Sequence, residues 1–170
     1  MFLLHGNGKG NDHHSKIPSN FFEEMPKLKV LDICNLPLMS LPPSLELLKT
    51  NLQTLCLDGC TLEDIARVGE LRNLETLSYA NSEVKELPKE IAKLTHLRLL
   101  DLSDCPELEV ISPNVISSLT RLEDLRMKNS FEKWEAERDI NERKNASLLE
   151  LKQLSGLTAL EIYIPDVYQL

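Results

Sequence analysis

Asp12, His13 and His14 stand side by side in a Gly-rich polar stretch, GNGKGNDHHSK. Imidazole nitrogens and a carboxylate are metal ligands, so this trio could touch a divalent ion. Adjacent histidines on a loop are more often solvated, and the stretch is read as a loop. GNGKG superficially resembles a phosphate cradle, but the G-x-x-x-x-G-K-[ST] spacing is missing and no strand–loop–helix unit surrounds it. The thiols of Cys34, Cys56, Cys60 and Cys105 form no CxxC and no Cys/His zinc spacing. They are expected to be reduced, with neither metal nor disulfide. The carboxylate pairs Glu23/Glu24, Glu63/Asp64 and Glu123/Asp124 could in principle share acid–base work. They fall instead on turns and outward positions, where a solvated acidic face is the plainer reading. Serines and histidines show no nucleophile-elbow context. Asn145-Ala146-Ser147 has the form of a glycosylation acceptor, which matters only on a secretory route. The expectation is no catalytic residue, no cofactor site and no metal site.

The elements that position these residues are set by a repeated frame. LRLLDL, from Leu97, has leucine at offsets 0, 3 and 5 and Cys105 at offset 8, which is L-x-x-L-x-L-x-x-[N/C]. A short strand explains the spacing, because alternate side chains take opposite faces. Leu100 and Leu102 point inward together, while Leu99, Asp101 and Ser103 point out. The frame starts again at Leu28, Leu52, Leu74, Leu122 and Leu157, giving steps of 24, 22, 23, 25 and 35 residues. Further apolar columns follow: Leu38, Leu62 and Val84, then Leu41, Ile65 and Leu87, then Leu48, Leu71 and Leu94. One LxxLxL is common; six in register are not chance. One unit cannot bury its own apolar face, so copies must stack. The fold class expected is α/β: a leucine-rich-repeat solenoid with a curved parallel sheet of about six short strands. The whole chain, 1–170, reads as a single such domain.

PPSLELL, ARVGEL, PKEIAKL and PNVISSL return the chain on the convex side. Proline opens three of them, which suits the first turn of a short helix. Single α or 3₁₀ turns are expected, and Gly69 is expected to loosen the segment that lacks proline. Asn20 is placed to cap a turn, FFEEM, whose Phe21, Phe22 and Met25 face the core. The 35-residue step marks a loop insertion at about 131–145. Trp134 within it has two readings: an anchor tucked onto the solenoid, or an exposed contact for a partner. Ser147 to Glu150 has the capping-box pattern. Phe2, Leu3 and Leu4 look like the tail of a strand from an earlier repeat. Neither end shows a polar capping repeat, which reads as a piece of a larger protein or a truncated gene product.

The outward strand positions are free of core duty, and they form the candidate protein-binding face. They include Asp32, Thr54, Asp58, Thr76, Ser78, Asp101, Ser103, Arg126, Lys128, Glu161 and Tyr163, with Trp134 as the loop contact. The cysteines divide between the faces: Cys34 and Cys56 point outward, and Cys60 and Cys105 sit where a small buried side chain bonds the turning backbone. Net charge is −8, so a nucleic-acid partner is not expected. No run of about 20 apolar residues is present to span a membrane, and MFLLH is too short an apolar core for a signal peptide. A cytoplasmic protein is expected.

NFFEEMPKLKVLDI, LQTLCLDGCTLEDIARVGEL, ELPKEIAKLTHLRLLDLSDCPELEVISPNVISSLTRLEDLRM and LTALEIYIPD resemble the leucine-rich-repeat region of plant intracellular disease-resistance proteins. The class is that of coiled-coil, nucleotide-binding, leucine-rich-repeat receptors. Leu41-Pro42 and Leu87-Pro88 match its intracellular form, and the extracellular L-x-G-x-I-P hallmark is absent. The resemblance implies a receptor that detects pathogen effectors, directly or through a guarded host protein, and triggers defence. It implies that early repeats dock on the receptor's own nucleotide-binding module and hold it at rest. No P-loop is present in this chain, so ADP or ATP binding is not expected of it. The alternative is a freestanding intracellular repeat scaffold, whose repeats would be near-uniform in length. A ubiquitin-ligase substrate arm would want an F-box upstream.

Overall fold

The computed structural model describes residues 1–6, 17–135 and 143–164. The expectations for Asp12, His13, His14 and most of GNGKG lie outside these residues, as does the middle of the insertion. Chain order gives β1 (Phe2–His5), β2 (Val30–Cys34), β3 (Pro37–Ser40), β4 (Thr54–Cys56), β5 (Thr61–Asp64) and β6 (Thr76–Ser78). Then come β7 (Glu83–Val84), β8 (Glu86–Leu87), β9 (Leu99–Asp101), β10 (Val110–Ile111), β11 (Asp124–Arg126) and β12 (Ala159–Glu161).

Seven of these make one sheet in the order β1-β2-β4-β6-β9-β11-β12. Every neighbouring pair in it is parallel. Six strands lie at the six frames, and the seventh, β1, is the Phe2–Leu4 segment read as a strand tail. The register aligns offset with offset: Leu31, Leu55, Leu77, Leu100 and Leu125 stand opposite one another along the sheet. Each of these five is 0% exposed. A leucine gains roughly 1.5–3 kcal/mol on full burial, and here each rib is covered by the ribs beside it. The downstream columns form smaller parallel ladders, β3-β5-β7 and β10-β8, and Leu38, Leu62 and Val84 are buried there.

The strands stop after three to five residues for a reason visible at offset 7. Asn35, Gly59, Asn81, Asp104 and Asn129 hold that position, with φ of 55°, 66°, 57°, 54° and 49°. These are left-handed backbones, which Gly, Asn and Asp tolerate best. The chain kinks there and swings away from the sheet. The next residue secures the kink to the preceding repeat. Cys60 Sγ donates to the Ile33 carbonyl at 3.3 Å, Ser82 Oγ to the Leu57 carbonyl at 2.8 Å, and Cys105 Sγ to the Tyr79 carbonyl at 3.0 Å.

The far side returns as single helical turns: 3₁₀ at Pro43–Leu48, Ala66–Glu70, Lys89–Lys93 and Leu148–Gln153, and one α turn, α1 (Val115–Ser118). Gly69 does not loosen its turn. A Cβ there would run into the Glu90 carbonyl of the next turn. The glycine lets two turns approach closely, doing by absence of a side chain what proline does elsewhere by fixed φ.

The insertion is tied down at its described ends. Phe131 and Trp134 meet edge to face at 5.1 Å. Glu135 accepts from the backbone N–H of Lys144 and of Asn145, both at 3.1 Å. The Ser147–Glu150 capping box forms, with the Ser147 N–H on Glu150 Oε1 at 3.4 Å. Glu150 is only 2% exposed. Its carboxylate also takes the N–H groups of Asn114 at 2.9 Å and Ser117 at 3.2 Å, which cap the start of α1. One buried carboxylate thus joins the turn after the insertion to the turn before it.

Candidate protein-binding face

Offset 4 of each frame lands on the open face of the seven-stranded sheet. In sheet order the column is Asp32, Cys56, Ser78, Asp101, Arg126 and Glu161. Offset 2 gives Val30, Thr54, Thr76, Leu99, Asp124 and Ala159 beside it. The short strands therefore bring residues from six frames into two adjacent rows, with Cys34, Asp58, Ser103, Lys128 and Tyr163 at the edge where the backbone turns away.

The face divides by charge. Asp32, Asp58 and Asp101 make its first part acidic. Asp58 accepts from Ser78 Oγ at 2.5 Å and from the Ala80 N–H at 3.1 Å. Partial burial still holds its carboxyl above the usual 3.8, helped by the negative charges of Asp101 and Asp32. Cys34 Sγ donates to Asp32 Oδ1 at 2.6 Å. Burial, that bond and the neighbouring carboxylates push the Cys34 thiol up to about 12, and burial beside Asp58 pushes Cys56 up to about 11. Both thiols stay protonated and weakly nucleophilic at neutral pH. The second part carries Arg126, whose Nη2 lies 2.6 Å from Asp124 Oδ2 and whose Nη1 lies 3.7 Å from Asp101 Oδ2. Lys128, Glu161 and Tyr163 are exposed beyond it.

Two of the expected contact residues are placed otherwise. Ser78 is 7% exposed. Its hydroxyl is spent on Asp58, so it positions that carboxylate and offers little surface of its own. Trp134 is 8% exposed, and its Nε1 donates to the Tyr163 carbonyl at 3.2 Å. A large apolar ring gains more by covering the solenoid than by facing water, so the anchor reading stands and the exposed-contact reading is corrected. Asn145 is also engaged. Its Oδ1 accepts the Ile111 N–H at 3.0 Å and its Nδ2 donates to the Glu109 carbonyl at 3.3 Å, so the acceptor-like tripeptide serves packing.

Two columns escaped the frame as read from sequence. The left-handed column at offset 7 was legible as Asn, Gly, Asn, Asp, Asn. The other lies one residue before each frame. Asn51 Nδ2 donates to the Pro26 carbonyl at 2.9 Å, Asn73 Nδ2 to the Thr50 carbonyl at 2.8 Å, and His96 Nδ1 to the Arg72 carbonyl at 3.0 Å. Each ties a repeat to the repeat before it along the rim. Among the described residues, no group of three or more His, Cys, Asp or Glu is arranged to hold a metal ion. No helix among them is long and apolar enough to cross a membrane.

The comparisons with known proteins agree with this architecture. A disease resistance protein of Arabidopsis thaliana is 29% identical over 155 residues, covering 91% of this chain and 16% of that protein. This chain therefore spans about a sixth of the curated relative's length. A leucine-rich-repeat protein of Leptospira interrogans superposes with a TM-score of 0.66 at 24% identity, over 86% of this chain and 40% of that one. An internalin of Listeria monocytogenes gives 0.63 at 23% identity, over 84% and 38%. These two show the fold. The family model described as a leucine-rich repeat region matches residues 51–169, and with the aligned ribs and the recurring kink it establishes that this chain belongs to the leucine-rich repeat family.

Proposed function

We propose that this chain is the protein-interaction portion of a plant innate immune receptor, acting in the cytoplasm. The observation that carries the proposal is the open face itself. Two rows of side chains from six frames are released from core duty and stand together, mixed in charge and poor in aromatics. Such a surface suits protein contact, with charge setting the choice of partner. The similarity to the Arabidopsis disease resistance protein supplies the biological direction. The partners are the receptor's own nucleotide-binding module, in an autoinhibitory contact at rest, and a pathogen effector or guarded host protein on activation. Release of the resting contact starts the defence response and the hypersensitive response.

The test uses Asp101 and Arg126, which face each other at 3.7 Å. Reversing both, Asp101→Lys with Arg126→Glu, keeps an opposite-charge pair in place while inverting the surface a partner meets. Co-precipitation with the separately expressed nucleotide-binding module of the full-length gene product is the readout. The double reversal should weaken capture strongly, and in the intact receptor it should produce effector-independent cell death in leaves. Charge reversal at Lys89 and Lys93, on the far side, should leave capture as it was. Capture that survives the first pair of changes and is lost with the second would overturn the assignment. A full-length gene with no nucleotide-binding module would favour the freestanding scaffold.

A further inference from the structure

Along the rim where the strands begin, a cleft of about 470 Å³ runs between the residues just before and just after each frame start. It is distinct from the open face. Its lining includes Lys29, His96, Arg98 and Arg121 against one carboxylate, Glu75. That is an unusual balance for a chain with 19 Lys and Arg against 27 Asp and Glu. Polar groups in its middle are already engaged: Arg98 holds Glu123 through two bonds of 2.9 Å, and Glu75 accepts from Gln53 Nε2 at 3.2 Å. The side-chain amides of Asn51 and Asn73 are spent on backbone carbonyls. Lys29 and Arg121, both exposed, do not appear among the ion pairs of the described residues. The cleft thus has a hydrogen-bonded polar floor and, among the described residues, a cation without an ion-pair partner at each end.

We propose that this rim cleft binds an extended acidic segment of a protein partner. Lys29 follows the first frame start and Arg121 precedes the fifth, four strand spacings of about 4.8 Å apart, so the two cations lie roughly 19 Å from each other across the repeats. An extended chain covers that span in about six residues at roughly 3.3 Å each. The segment therefore carries carboxylates about six positions apart, one for each cation, and lays its backbone over the polar floor. A polyphosphate is the poorer match, because Glu75 lies between the cations and would repel continuous negative charge.

Fluorescence anisotropy with a labelled heptapeptide, Glu-Ser-Gly-Gln-Gly-Ser-Glu, at an ionic strength of about 0.1 M tests the proposal, using the full chain. The unaltered chain should bind it. Lys29→Glu with Arg121→Glu should weaken binding by about tenfold or more, since each change replaces an attracting cation by a repelling carboxylate at a point of contact. Lys85→Glu with Lys89→Glu makes the same net-charge change away from the cleft and should alter binding by less than about twofold. Circular dichroism checks that both variants stay folded. Equal losses in the two variants would show a general charge effect and overturn the proposal. So would an unaltered chain that does not bind, or one that binds tripolyphosphate and not the peptide. The Asp101→Lys, Arg126→Glu pair lies outside the cleft, so its result bears on the open face alone.

Discussion

Leu100 and Asp101 are adjacent in the chain and opposite in role. Leu100 is 0% exposed between Leu77 and Leu125, so Leu100→Ala leaves a cavity that the neighbouring ribs cannot fill. The expected cost is about 2–5 kcal/mol. Asp101 accepts the Ser103 N–H at 2.9 Å and faces Arg126, so Asp101→Ala should cost about 0.5–1.5 kcal/mol. Urea titration of the two variants separates them, and equal losses would mean that the faces are reversed. Tyr79 holds a rib position with its hydroxyl buried and, among the described residues, without a hydrogen-bond partner. Tyr79→Phe removes that group at little change in shape and should raise stability by about 1 kcal/mol in the same titration. Asp58 gives a pH prediction. Its folded-state pKa lies above the ordinary 3.8, so between the two values the folded chain holds a proton that the unfolded chain has released. Stability must fall as pH rises through that window. In Asp58→Asn this component of the slope should vanish, leaving the variant more stable than the parent above the window and similar below it. A slope unchanged in the variant would assign the effect to other groups.

The turns and kinks show what sequence reveals about elements and what it hides. The strand frames were legible because an alternating strand inside a stack demands leucine at fixed offsets, and all six frames carry a strand. Proline marked the helical turns for the same kind of reason. Gly69 is the exception, since a glycine reads as freedom until its neighbour is known. The neighbour is the Glu90 carbonyl in the next turn, a contact between positions one repeat apart. Gly69→Ala should therefore push the two turns apart and cost about 1–3 kcal/mol, measured by thermal unfolding. A stabilising effect, as helix propensity alone would give, would contradict the close approach. The role of Glu150 was half legible. Its spacing from Ser147 predicted the capping box, but its reach to Asn114 and Ser117 crosses the insertion, where local spacing carries no information.

At the scale of the whole molecule, stacking turns a sequence period into a surface. The offset-4 residues lie more than twenty positions apart in the chain, yet the parallel register sets them side by side. The identity of that row was readable from the frame alone. Which members present themselves was not: Ser78 turns to Asp58, and outside the row the insertion's Trp134 likewise turns to the Tyr163 carbonyl, because side-chain bonding between repeats decides exposure. The rim cleft was likewise invisible, since its residues flank the frame and its shape depends on four repeats at once. On the proposed function, a protein partner covers the open face of the sheet. Covalent footprinting of the chain, free and in complex with the nucleotide-binding module, reads that coverage residue by residue. Leu99, Lys128 and Tyr163 should lose reactivity in the complex, while Leu47 and Lys89 on the far-side turns should react as in the free chain. Protection of Leu47 and Lys89 with Leu99, Lys128 and Tyr163 unchanged would contradict it.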